Sequence, residues 1–190
     1  MSDSLPFLPA LRHLGDLADK LPTVIIDTRE QYPLPIRRLP FIRRGLYTGD
    51  YSIAGLEPIF SVERKSIADI VSCCTDSNRE RFEHELHRLR GFRFRRLLIV
   101  GKRSDIETKK YRSNIPPASV LGTLAALEVR YEIAIVWGET PERSAKIVEV
   151  WAWYFAREYV EAINDLFRGT KCKPDTEELA EWRKSYSNKT

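Results

Sequence analysis

Three short apolar runs, separated by segments of helical periodicity, restrict the possible folds of this chain more than any other feature. Thr23-Val24-Ile25-Ile26-Asp27, Arg96-Leu97-Leu98-Ile99-Val100 and Ile133-Ala134-Ile135-Val136-Trp137 each read as a buried strand. Residues 46–53 and 58–64 read as two more strands, hairpin-linked through Gly55 and Pro58. Ser66 is placed to cap a long helix reaching Leu89, with a break near Thr75–Asn78, and Gly91 ends it. Pro116 and Pro117 open a second helix with Val120, Leu121, Leu124 and Leu127 on one face. Thr140-Pro141-Glu142 opens a third, running to about Leu166. Between the first two strands Pro33, Pro35 and Pro40 impose an extended, irregular path, and a polar loop is expected after Val100 as far as Asn114. Strands alternating with helices imply an α/β domain whose mixed, twisted central sheet is flanked by helices on both faces. The early hairpin argues against a purely parallel sheet.

A chain of 190 residues fits one domain with a real core. The expected division is an amphipathic appendage over 1–22, a compact domain over 23–167 and a polar tail over 168–190. In the appendage Leu8, Leu11, Leu14, Leu17, Ala18 and Leu21 recur at helical spacing, suiting either docking on the main body or binding of a partner. Cys73, Cys74 and Cys172 show no metal-ligand spacing and no disulfide framework, and His13, His84 and His87 form no ligand cluster. Zinc is therefore not expected. No apolar run approaches the roughly 18 residues of a membrane span, and no signal-peptide pattern opens the chain. The expectation is a soluble protein of a reducing, cytoplasmic compartment (nucleoid-associated if prokaryotic), with no membrane and no nucleotide cofactor.

Chemistry concentrates between Gly49 and Asp69. Asp50 lies on one strand of the expected hairpin, and Glu63 and Lys65 lie on the next. Side chains alternate along a strand, so Glu63 and Lys65 share a face with Arg64 opposite. Two carboxylates with an adjacent ammonium suit phosphodiester hydrolysis. Hard Mg²⁺ or Mn²⁺ takes carboxylate oxygens, lowers the pKa of a bound water and bridges a phosphate oxygen. Asp50 and Glu63 are the candidate ligands, and Asp27, at the end of the first strand, is a third ligand or a supporting group. Lys65 would orient the attacking water or stabilise developing charge. The triplet alone is weak: Glu107-Thr108-Lys109 repeats it in a polar segment read as a solvated loop. A surface ion-pair cluster is the plain alternative for Glu63-Arg64-Lys65.

Gly49-Asp50, then Val62-Glu63-Arg64-Lys65, then Asp69 resembles the signature of XPF-family nuclease domains. Val24-Ile25-Ile26-Asp27-Thr28-Arg29-Glu30 is similar to that family's opening strand, and the resemblance covers about residues 23 to 160. It implies a restriction-endonuclease-like core and metal-dependent cutting of DNA near duplex/single-strand junctions, leaving a 5′-phosphate and a 3′-hydroxyl. It puts Asp27, Asp50 and Glu63 in the metal site, Lys65 in the catalytic lysine's place, and Arg29, Arg64 and Asp69 among the supporting polar residues. Asp69 is expected to hold Arg64 or Lys65, the alternative being simple complementarity to the helix dipole. Many family members also carry a tandem helix-hairpin-helix module that grips DNA and mediates dimerisation. The residues after Gly169 are too few for one, which weakens a fork or flap preference but not cleavage itself; besides DNA, a homodimer or heterodimer is the partner expectation.

Arginines dominate the basic residues and suit phosphate. Arg79 and Arg81, near the helix break, and Arg43 and Arg44 are the expected DNA contacts. The alternative is a set of solvated helix faces, with Glu80, Glu83 and Glu85 pairing to arginines. Two rival functions remain at this level: a non-catalytic DNA-binding or scaffold subunit, and a sequence-specific restriction-type endonuclease.

Overall fold

In the computed structural model, which describes residues 20–168, six strands form one sheet in the order β2-β1-β3-β4-β5-β6. The strands are β1 (Val24–Ile26), β2 (Phe41–Arg43), β3 (Tyr51–Ile53), β4 (Phe60–Ser66), β5 (Phe94–Val100) and β6 (Ala134–Trp137). The helices are α1 (Ile67–Ser72), α2 (Asp76–Leu89), α3 (Arg103–Glu107), α4 (Pro117–Tyr131) and α5 (Pro141–Arg168). β3 runs antiparallel to both β1 and β4, whereas β1–β2, β4–β5 and β5–β6 are parallel. The sheet is mixed, as the hairpin demands.

Both faces are covered. Alternation along β5 sends Leu98 into a core with Val24, Ile26, Phe60, Val62 and Val148 of α5. Leu97 and Ile99 point the other way, into a core with Ile70 of α1, Leu86 of α2 and Leu124 of α4. Phe60 stacks on Phe94 at 4.5 Å, and Phe155 of α5 tilts against both rings.

Four sequence expectations need correction. The strand expected over 46–53 is only Tyr51–Ile53, because residues 44–50 form the loop that delivers Asp50. The irregular path after Pro33 contains β2, an exposed edge strand beyond Pro40, where a proline costs no ladder hydrogen bond. The loop after Val100 contains α3, whose start is fixed by Asp105 accepting from the Lys102 N–H. Glu107 of the decoy triplet closes that helix, paired to Arg103 at 2.9 Å. The break near Thr75–Asn78 is the junction of α1 and α2. The appendage and tail fall outside the described residues, apart from Lys20, Leu21, Pro22 and Arg168.

Candidate active site

The end of β1, the start of β3 and the middle of β4 are neighbours in the sheet, and each carries one carboxylate. Tyr51 pairs with Val62, so antiparallel register puts Asp50 opposite Glu63. The Asp50 N–H donates to Val62 O at 2.9 Å, and the Asp27 N–H donates to Asp50 O at 2.8 Å. Gly49 permits this approach. Its φ is +82°, and an added Cβ would overlap Ser61 Oγ and sit 3.1 Å from Val62 O.

Each carboxylate is held differently. Asp27 accepts from Arg29 N–H and Nε at Oδ1, both 2.8 Å, and from Arg29 Nη2 and Leu46 N–H at Oδ2. Burial raises its pKa, but these donors outweigh burial and hold it below the usual range. Both oxygens of Asp27 are therefore already engaged, and it ties the 44–50 loop to β1. Asp50 accepts the Arg64 N–H at Oδ2, 2.7 Å, and Glu63 Oε1 lies 2.6 Å from Lys65 Nζ. Among the described residues neither Asp50 Oδ1 nor Glu63 Oε2 accepts a hydrogen bond.

Burial pushes Asp50 up to about 6, more than the Arg64 N–H offsets, and Glu30 adds to the rise. Glu63 rises to about 8, by burial first and then by the charge of Asp50 facing it. A half-buried and a buried carboxylate that repel each other, each with an oxygen accepting no hydrogen bond, form a donor set suited to a hard divalent cation. Among the described residues no group of three or more His, Cys, Asp or Glu is arranged to hold a metal.

Lys65 bridges two elements. Its ammonium lies 3.0 Å from Glu85 Oε2 on α2 and 5.3 Å from the Phe82 ring centroid. Burial lowers its pKa, but the charges of Glu63 and Glu85 outweigh burial and keep it protonated well above neutrality. Glu85 also lies 3.5 Å from Arg81 Nε. Arg64, on the other face of β4, makes a two-pronged pair with Glu30 at 2.8 and 3.0 Å. From the sequence Glu30 has no role, and Glu85 only a pairing to helix arginines such as the one Arg81 provides. The Asp-x-Arg-Glu pattern around Asp27 contained Glu30, whereas Glu85 looked like one more exposed helix charge.

Other candidates fall elsewhere. Asp69 holds neither Arg64 nor Lys65 by hydrogen bond. It accepts from Ser66 N–H at 3.0 Å and Ser66 Oγ at 2.7 Å, closing a capping box at the start of α1. Arg43 donates to the carbonyls of Asp27, Thr28 and Glu30, bracing the turn after β1. Arg44 pairs with Glu57. Arg79 reaches Thr123 Oγ1 at 3.3 Å, and Arg81 is exposed on the cleft rim. The cleft, about 580 Å³, is lined by Arg29, Glu30, Asp50, Arg64, Lys65 and Arg81, among others.

A mixed sheet with these carboxylates on three adjacent central strands is the restriction-endonuclease-like core of the XPF nuclease type. The ERCC4 domain family matches residues 26–150, and the chain belongs to that family. Among solved structures it is similar to XPF from Aeropyrum pernix, at 23% identity and TM-score 0.56, over 78% of this chain and 75% of that one. XPF from Aeropyrum pernix in complex with DNA is similar at 22% identity and TM-score 0.56, over 72% of this chain and 66% of that one. No curated protein matches.

Proposed function

We propose that this chain is a divalent-metal-dependent DNA endonuclease acting near duplex/single-strand junctions. The observation that carries the reading is half-buried Asp50 facing buried Glu63 across β3 and β4, beside the ammonium of Lys65. Membership of the ERCC4 domain family supports nuclease chemistry, and a solved relative held with DNA supports DNA as the polymer.

Asp50 and Glu63 would hold Mg²⁺ or Mn²⁺, which supplies Lewis-acid charge at the scissile phosphate. Lys65, kept charged by Glu63 and Glu85, would stabilise negative charge developing on a phosphoryl group. The Arg64 N–H fixes the Asp50 carboxylate, and the Arg64–Glu30 pair fixes that backbone in turn. Asp27 and Arg29 lock the 44–50 loop that delivers Asp50. In the reaction a water oxygen bonds to phosphorus and the bond from phosphorus to the 3′ oxygen breaks. The products are a 5′-phosphate and a 3′-hydroxyl.

The test is cleavage of flap, fork and blunt duplex substrates with Mg²⁺ or Mn²⁺, comparing the wild type with Asp50→Ala and Glu63→Gln. Each substitution should lower the rate by about 100-fold or more. Absence of metal-dependent cutting by the wild type on every substrate would end the enzyme reading.

A further inference from the structure

Two exposed aromatic rings, Tyr32 on the cleft and Tyr47 on the 44–50 loop, have no role in the chemistry above. Tyr32 and Tyr47 are 76% and 86% exposed, the most exposed aromatic side chains among the described residues. Neither ring touches another ring or a cation, and neither hydroxyl has a partner among the described residues. Scattered exposed apolar groups are ordinary on a protein surface. These two differ because both stand on backbone anchored to the site.

The Tyr32 N–H donates to Glu30 Oε1 at 2.8 Å, on the carboxylate that also clamps Arg64. Tyr47 follows Leu46, whose N–H is held by Asp27 and whose carbonyl accepts Arg29 Nη2 at 2.7 Å. The turn after β1 and the loop before β3 are thus tied together through Asp27 and Arg29. Tyr32 and Arg29 line the cleft with Asp50, and the Arg29 side chain is 70% exposed. Exposed rings on fixed backbone beside an exposed guanidinium have the make-up of a single-strand binding surface. The rings offer stacking faces, and the arginine draws the phosphates.

We propose that Tyr32 and Arg29 at the mouth of the cleft, with Tyr47 on the loop tied to Arg29 through Leu46, form a stacking platform for unpaired bases of a DNA strand. The inference rests on the reading of DNA as substrate and adds which part of it the chain grips. In a duplex each base is already stacked on its neighbours and offers a protein only its edges. Free base faces exist only where a strand is unpaired. Because every base has such a face, the platform is indifferent to sequence.

The experiment measures binding of the full chain, without divalent cation, to a fluorescein-labelled single strand of about 12 nucleotides. A blunt duplex and a duplex with a 2-aminopurine-labelled overhang are measured beside it. Tyr32→Ala combined with Tyr47→Ala should weaken single-strand and overhang binding about 10-fold or more. Blunt-duplex affinity should change by less than about 2-fold, and the 2-aminopurine quenching should disappear. The corresponding pair of Tyr→Phe substitutions keeps the stacking faces and should behave as wild type. Equal losses on duplex and single strand, or no loss on either, would overturn the platform. So would unchanged DNA affinity with altered oligomeric state by light scattering, which would make the tyrosines a protein contact. If the wild type binds DNA with this preference but cuts nothing in Mg²⁺, the platform stands and the nuclease reading alone falls. If it binds no DNA at all, both fall.

Discussion

Glu30 shows how much of the site depends on one side chain. Its Oε1 takes the Tyr32 N–H and one prong of Arg64, and its Oε2 takes the other prong. Glu30 is buried and the Arg64 side chain nearly so, and leaving a partly desolvated guanidinium unpaired is costly. Glu30→Ala should lower the unfolding free energy by about 3 kcal/mol in urea titrations. It should also depress cleavage, because the Arg64 N–H that holds Asp50 would lose its anchor. A change under about 1 kcal/mol would show that the pair contributes no more than a surface ion pair. The Asp50–Glu63 opposition is readable from the chain, because each carboxylate sits on one of two strands joined by a short bend. The role of Glu85 is not readable. Four residues after Arg81 it has the spacing of a surface ion pair, and only the packing of α2 on the sheet turns its other oxygen to Lys65.

At the scale of elements, Glu149 of α5 is the carboxylate on which the β1–β2 connection is hung. Its Oε1 accepts N–H bonds from Arg37 at 2.8 Å, Arg38 at 2.5 Å and Leu39 at 3.3 Å. The proline-rich segment has no ladder of its own for these amides, so a buried acceptor from a distant helix satisfies them. Glu149→Ala should destabilise the fold by roughly 2–4 kcal/mol and speed hydrogen exchange at the amides of Arg37, Arg38 and Leu39. Unchanged exchange there would mean that the prolines alone fix the segment. Helix starts were the most legible elements. Ser66 acts through its hydroxyl and amide on Asp69, and Pro117 through its own ring-fixed backbone, all within one turn. β2 was hidden because a three-residue exposed strand has no apolar pattern and exists only by pairing with β1. The roles of Arg43 and Arg44 were hidden for the same reason: a basic cluster reads as a phosphate surface until its carbonyl and carboxylate partners are placed.

For the whole molecule the clearest consequence is an opposition between fold stability and site chemistry. Asp50 and Glu63 have folded-state pKa values raised to about 6 and about 8. Between their ordinary values near 4 and those raised values the native state binds more protons than the unfolded chain. Their contribution therefore falls as pH rises through this window. Asp27 and Asp69 are shifted the other way, so their contribution disappears only below about pH 4. Without divalent cation the melting temperature should thus be higher near pH 5.5 than near pH 8. Asp50→Asn should raise it at pH 8 by about 3–6 °C and flatten the slope. Millimolar Mg²⁺ should raise the wild type at pH 8 and leave Asp50→Asn unmoved. Calorimetry showing no pH slope, or equal Mg²⁺ effects on both proteins, would refute the idea that this pair is strained without a cation.

The alternation of strands and helices, the helix starts and the order of Asp50, Glu63 and Lys65 along the hairpin are all legible in the chain. These depend on interactions within a few residues of one another, and such interactions leave periodic or capping patterns. Only the tertiary structure decided that β2 flanks β1, that α2 brings Glu85 to Lys65 and that Glu30 clamps Arg64. The same is true of Arg43, which braces a turn, and of Tyr32 and Tyr47, which stand on two loops joined through Asp27 and Arg29. Each of these is a meeting of residues well apart in the chain. Its free energy comes from desolvation and geometry that exist only once the sheet has closed on its helices.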